Sequence, residues 1–88
     1  MYTIYKYPFD VSDSVSITMP SEAKILCVQM QDKTPCLWAM VNPTGVIETR
    51  YFKVIGTGHK VDQPENLIYI GTFQELDGLL IWHLFELK

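Results

Sequence analysis

The chain has 88 residues, 48% of them hydrophobic and 19% charged, with a formal net charge of −3. That length makes one domain, 1–88, near the lower end of what folds without staples. The negative balance excludes a general binder of duplex nucleic acid, which needs a basic stripe. An ordinary domain is about 25% charged; with less surface reserved for water here, burial between subunits is expected.

Turn signals and β-rich runs alternate from end to end. Tyr2 to Tyr7 is aromatic and β-branched and stops at Pro8, which predicts the first strand. Asp10, Ser12, Asp13 and Ser14 make a polar turn, and Val15 to Met19 alternates strictly as a second strand. Pro20 to Ala23 reads as a turn. Lys24 to Gln31 and Pro35 to Asn42 form the clearest hairpin, joined through Asp32-Lys33-Thr34. Pro43-Thr44-Gly45 supplies the next turn, with proline setting φ. Val46 to Ile55 predicts a long strand ending at Gly56-Thr57-Gly58-His59, and Asp62 to Asn66 a loop. Leu67 to Gln74 is a further strand, and Asp77-Gly78 a tight turn before the last one, Leu79 to Leu87. No 3.6-residue period persists for ten residues. The expected fold is all-β: a single small antiparallel barrel or sandwich of about seven short strands.

The side-chain period refines this. On the last strand Leu79, Ile81, His83, Phe85 and Leu87 point one way, and Leu80, Trp82, Leu84 and Glu86 the other. In the hairpin, Cys36, Trp38 and Met40 oppose Leu37, Ala39 and Val41. A half-exposed strand has one polar face; these have none, which puts them mid-sandwich or at a subunit interface. Val46 to Ile55 mixes signs, with Glu48, Arg50, Phe52 and Val54 on one face and Lys53 on the other. It is expected at an edge or as a pocket wall.

Cys27 and Cys36 match neither a redox pair nor a zinc knuckle, and read as core thiols of a reducing compartment. Nothing resembles a signal peptide, and no apolar stretch approaches the ~20 residues of a membrane helix. A cytoplasmic protein is expected, with no membrane contact and no cofactor.

Among candidate sites, Gly56, Thr57, Gly58, His59 and Lys60 come first. Paired glycines let backbone N–H groups converge on an anion, with a hydroxyl, an imidazole and an ammonium beside them. A solvated glycine-rich connection is the bland alternative, since no helix follows to make a phosphate loop. Arg50, the only arginine, suits bidentate phosphate or carboxylate contacts, or a cross-strand ion pair. Trp38, Trp82 and Tyr51 are aromatics that could stack on a base, although tryptophan among Leu, Cys and Met also suits a core. His83, between Trp82 and Leu84, reads as a satisfied core or interface histidine. No nucleophile elbow or metal-ligand spacing is present, and the protein is not expected to be an enzyme.

Several segments together resemble a family of small proteins of unknown function encoded by bacteriophages and prophages. They are Tyr5-Lys6-Tyr7-Pro8, Met19-Pro20 followed by Ala23-Lys24-Ile25-Leu26, Pro35-Cys36-Leu37-Trp38-Ala39, Ile55-Gly56-Thr57-Gly58-His59, Tyr69-Ile70-Gly71-Thr72-Phe73 and Trp82-His83-Leu84-Phe85-Glu86. The Gly-Thr-Gly-His block is the most distinctive. The resemblance implies a phage origin and the host cytoplasm, and carries no catalytic residue. Phage proteins of this size include sequestering proteins for cyclic nucleotide or cyclic ADP-ribose immune signals, a likeness of kind only.

The resulting expectation is a homo-oligomeric, non-enzymatic binding protein that sequesters a small anionic, nucleotide-like ligand as an anti-defence sponge. Gly56, Thr57, Gly58, His59 and Lys60 would hold phosphates, with Arg50 as second cation and Trp38 or Tyr51 stacking. The alternative is an interaction module that inhibits a host protein partner through an apolar, acidic surface.

Overall fold

All seven predicted strands form in the computed structural model, which describes residues 1–88. They are β1 (Thr3–Pro8), β2 (Ser14–Pro20), β3 (Lys24–Gln31), β4 (Thr34–Val41), β5 (Ile47–Gly56), β6 (Leu67–Glu75) and β7 (Leu80–Leu87). Single 3-10 turns at Pro64–Asn66 and Leu76–Gly78 interrupt them. Every pairing is antiparallel. Two sheets result, β1-β4-β3 and β2-β5-β7-β6, making a sandwich rather than a closed barrel. No helix is long and apolar enough to cross a membrane.

The two strands with apolar residues on both faces are interior ones, β4 in the smaller sheet and β7 in the larger. Leu37, Ala39 and Val41 of β4 face the core at 0% exposure, opposite Phe52, Phe73 and Leu84 of the other sheet in the same cluster. The core holds thirteen hydrophobic residues and no polar one. Tyr7 packs against it, and burial followed by the neighbouring Tyr5 raises its phenol above the usual value.

For the long strand, the edge alternative is corrected, while Lys53, Val54 and Ile55 do line a cleft. β5 lies inside its sheet between β2 and β7, not at an edge. Its charges mislead because each has a place in an interior strand: Arg50 turns inward to a partner on β7, while Lys53 points out on the solvent face.

Two bulges shape one flank. An extra residue enters β3 between Ile25 and Cys27, and another enters β6 between Tyr69 and Gly71. Bulges bend and twist a strand, and here the β3 and β6 edges come to lie against each other. A Cβ on Gly71 would meet Val28 Cγ1 at 2.8 Å. The opposite flank, between β1 and β2, has no such closure. Cys27 and Cys36 are free thiols, diagonal neighbours on one face of β3 and β4.

Candidate functional site

The sheet β2-β5-β7-β6 has an inner face on the core and an outer face in solvent, and register assigns every side chain to one of them. Lys53 on β5 stands opposite Phe85 on β7, which stands opposite Tyr69 on β6. One rung on, Ile55 pairs with His83 and His83 with Thr72. All six are on the outer face, and Tyr51, 59% exposed, precedes Lys53 on the same side. With strands about 4.8 Å apart and about 3.4 Å per residue, the patch measures roughly 10 Å by 14 Å.

A hydrogen-bonded chain crosses this patch. Tyr69 Oη lies 2.6 Å from Thr72 Oγ1. Thr72 Oγ1 lies 2.9 Å from His83 Nδ1, and His83 Nε2 lies 2.7 Å from Thr57 Oγ1. Hydroxyls donate and accept, and a neutral imidazole does one of each at its two nitrogens. The chain can therefore run in either direction, and either way a hydroxyl proton at one end, Thr57 or Tyr69, remains to be offered outward. Beside it Tyr69 and Phe85 meet edge to face at 5.6 Å.

The predicted loop joins this patch only in part. Thr57 belongs to it through His83. Its N–H donates to the Ile81 carbonyl at 3.2 Å, and the His59 N–H to the Gly56 carbonyl at 3.0 Å, so those two amides are engaged within the fold. The His59 ring lies on Gly56, where a Cβ would come within 2.9 Å of ring atoms, so a larger residue there would have to displace the imidazole. Gly58 follows at φ +84°. His59 and Lys60 turn toward a cleft of about 270 Å³ beside β5, which Lys53 shares and which Asp13 and Asp62 also line. Lys60 Nζ is 3.5 Å from Asp62 Oδ1, with both side chains well exposed.

Arg50 and Trp38 lie elsewhere. Arg50 is six residues from Gly56 along β5, about 20 Å at strand rise, and on the inner face. Its Nε and Nη2 donate to Glu86 Oε2 and Oε1 at 2.6 and 2.7 Å, and Nη1 donates to the Ala23 carbonyl. The hydrogen bonding to Glu86 raises the guanidinium above its ordinary value against the opposing effect of burial. The pair is the cross-strand alternative expected for Arg50, with Glu86 as the partner. Trp38 is half-buried on the outer face of the other sheet, between Lys6 and Cys27.

The residues that sequence reasoning did not assign to a site are Lys53, Tyr69, Thr72, His83 and Phe85. The alternation of the last strand sets His83 on one face with Phe85, without telling which face is outward. What was missing was strand order, which brings β6 and β5 to its two sides.

The chain belongs to a family described as a domain of unknown function, DUF7352, which matches residues 1–88. No curated protein and no protein of solved structure matches it.

Proposed function

We propose that the protein binds a small, anionic, nucleotide-like molecule on the outer face of its four-stranded sheet, without transforming it. The observation that carries this reading is the Tyr69–Thr72–His83–Thr57 chain, laid across an exposed face beside two aromatic rings and a lysine. Aromatic side chains on an open sheet offer a π-face to a base. The hydroxyl at the end of the chain supplies a directed donor, and Lys53 with Lys60 supplies the cationic end for a phosphate, the His59 ring lying beside them.

Chemistry at the bound molecule is disfavoured by the same geometry. Thr57 and His83 have the spacing of a nucleophile and its base. The third member, however, is a hydroxyl where a carboxylate would orient and charge-stabilise the imidazole. The Thr57 and His59 N–H groups that would flank an oxyanion already have partners. Binding without turnover also suits the expected anti-defence sponge acting in the host cytoplasm, for which the resemblance implies the phage origin and not the activity.

Heat-denaturing the purified protein and analysing the supernatant by mass spectrometry tests this. An intact phosphorylated small molecule is expected, with recovery at least tenfold lower from Lys53→Ala, Tyr69→Ala and His83→Ala. Absence of such a molecule from the unmodified protein, or equal recovery from all three variants, refutes the reading. A second reading, inhibition of a host protein, draws on Leu76 and Leu79 at the β6–β7 tip, which are 66% and 82% exposed. Stoichiometric capture of one host protein, lost in Leu79→Ser, would favour it.

A further inference from the structure

Two open sheets have four edges, and an unprotected edge is a template for another strand. Here three of the four are guarded. β3 and β6 cover one another around Val28 and Gly71. β2 turns Ser14, Ser16 and Thr18 outward and ends at Pro20, a polar border. β1 is different. Its neighbour Tyr2 is 68% exposed, and its own Ile4 and Tyr5 are 58% and 42% exposed. The one charge on the strand does not guard it, because Lys6 leans back across β4 and its Nζ donates to Gln31 Oε1 on β3 at 2.5 Å.

The direction of the free backbone groups can be worked out. The Phe9 N–H donates to the Pro35 carbonyl at 3.1 Å, just beyond the pair Pro8–Cys36. Antiparallel ladders alternate bonded and non-bonded pairs. Odd-numbered residues of β1 therefore bond to β4, and Ile4 and Lys6, with Tyr2 before them, point their N–H and C=O groups away from the sheet. Pro8 takes an outward position, where a missing N–H costs nothing to the ladder.

We infer that β1 pairs antiparallel with β1 of a second copy across a two-fold axis, joining two three-stranded sheets into one of six strands. The register that uses every outward N–H and leaves Pro8 outside the ladder sets Ile4 opposite its own symmetry mate. Lys6 then stands opposite the partner's Tyr2, so no like charges face each other. The strand has no carboxylate and no unengaged cation that would select a foreign strand by charge. The area agrees with this occupant. The protomer exposes 5870 Å², against about 5300 Å² expected for a monomer of 10.2 kDa. That excess, about 570 Å² over the whole surface, is smaller than the ~800 Å² each partner hides in an ordinary stable interface, as suits pairing through a single short strand. The outer face of the four-stranded sheet takes no part, so this pairing stands or falls independently of ligand binding.

Sedimentation equilibrium of the full chain is the test. Twice the protomer mass is expected at high micromolar concentration. Ile4→Asp, which sets two carboxylates face to face on the axis, and Ile4→Pro, which removes an outward N–H, should both return the protomer mass. Because Ile4 is exposed, both should keep the circular dichroism of the unmodified protein. In hydrogen exchange on the unmodified protein, the Ile4 and Lys6 amides should be protected, and less so on dilution. A protomer mass for the unmodified protein, a dimer retained by both variants, or fast exchange of those two amides at high concentration would overturn the inference.

Discussion

Arg50 shows how one side chain can look functional and be structural. A lone arginine on a strand that also carries lysine and glutamate suits phosphate recognition as well as an ion pair, and only the partner's position decides. Glu86 lies thirty-six residues away in sequence yet bonds through both carboxylate oxygens. The two side chains are 20% and 14% exposed, and the guanidinium also holds the Ala23 carbonyl in the turn between β2 and β3. Removing one member leaves a mostly buried charge without its counter-charge, which costs more than the pair contributes. Arg50→Ala should therefore lower stability by about 2–3 kcal/mol, read as a lower urea midpoint at unchanged slope. Replacing both, as Arg50→Met with Glu86→Leu, should recover most of that loss. His83 is the converse: its bland reading as a satisfied histidine holds for its hydrogen bonds, but the groups that satisfy it are two hydroxyls on an open face.

At the scale of elements, hydrophobic alternation and turn residues were enough to find all seven strands, most of them within a residue or two. The two side-chain sets of β4, β5 and β7 were also legible, since period two is a local property, but not which set faces the core. Strand order was not, because it depends on which edges meet, and bulges that settle this leave little trace in a single sequence. Ile25-Leu26-Cys27 and Tyr69-Ile70-Gly71 read as ordinary apolar runs. The misplacement of β5 at an edge and the incomplete site have this same cause. Gly71 is the residue on which the seam depends. Its missing Cβ leaves room for Val28, which is 5% exposed and stiff at χ1. Gly71→Ala should cost about 1–2 kcal/mol by overpacking. Combined with Val28→Ala, the loss in thermal unfolding should fall well below the sum of the two, the signature of residues in contact.

For the whole molecule, the deciding fact is how little of the apolar content is hidden. Sixteen large hydrophobic residues are exposed, against thirteen hydrophobics in the core. The shape follows: the radius of gyration is 13.2 Å over extents of 40 × 31 × 16 Å, where a globule of this length has about 12 Å. A slab one sandwich thick cannot bury both faces of β4 and β7 by itself, so the low charge content read from composition reappears as surface. If pairing through β1 hides part of it, folding and association are one equilibrium, and stability must depend on concentration. For a dimer that unfolds to two chains, each tenfold rise in protein adds about 0.7 kcal/mol per protomer, half of RT ln 10. A domain of this size gains about 4–8 °C per kcal/mol, so the melting temperature should climb by roughly 3–5 °C for each tenfold increase. Differential scanning calorimetry over a hundredfold range measures it. Ile4→Asp should flatten the dependence, whereas His83→Ala should leave its slope intact while removing the ligand. A flat line for the unmodified protein would mean that the exposed apolar surface answers to some other partner, and that the fold is stable as a single copy.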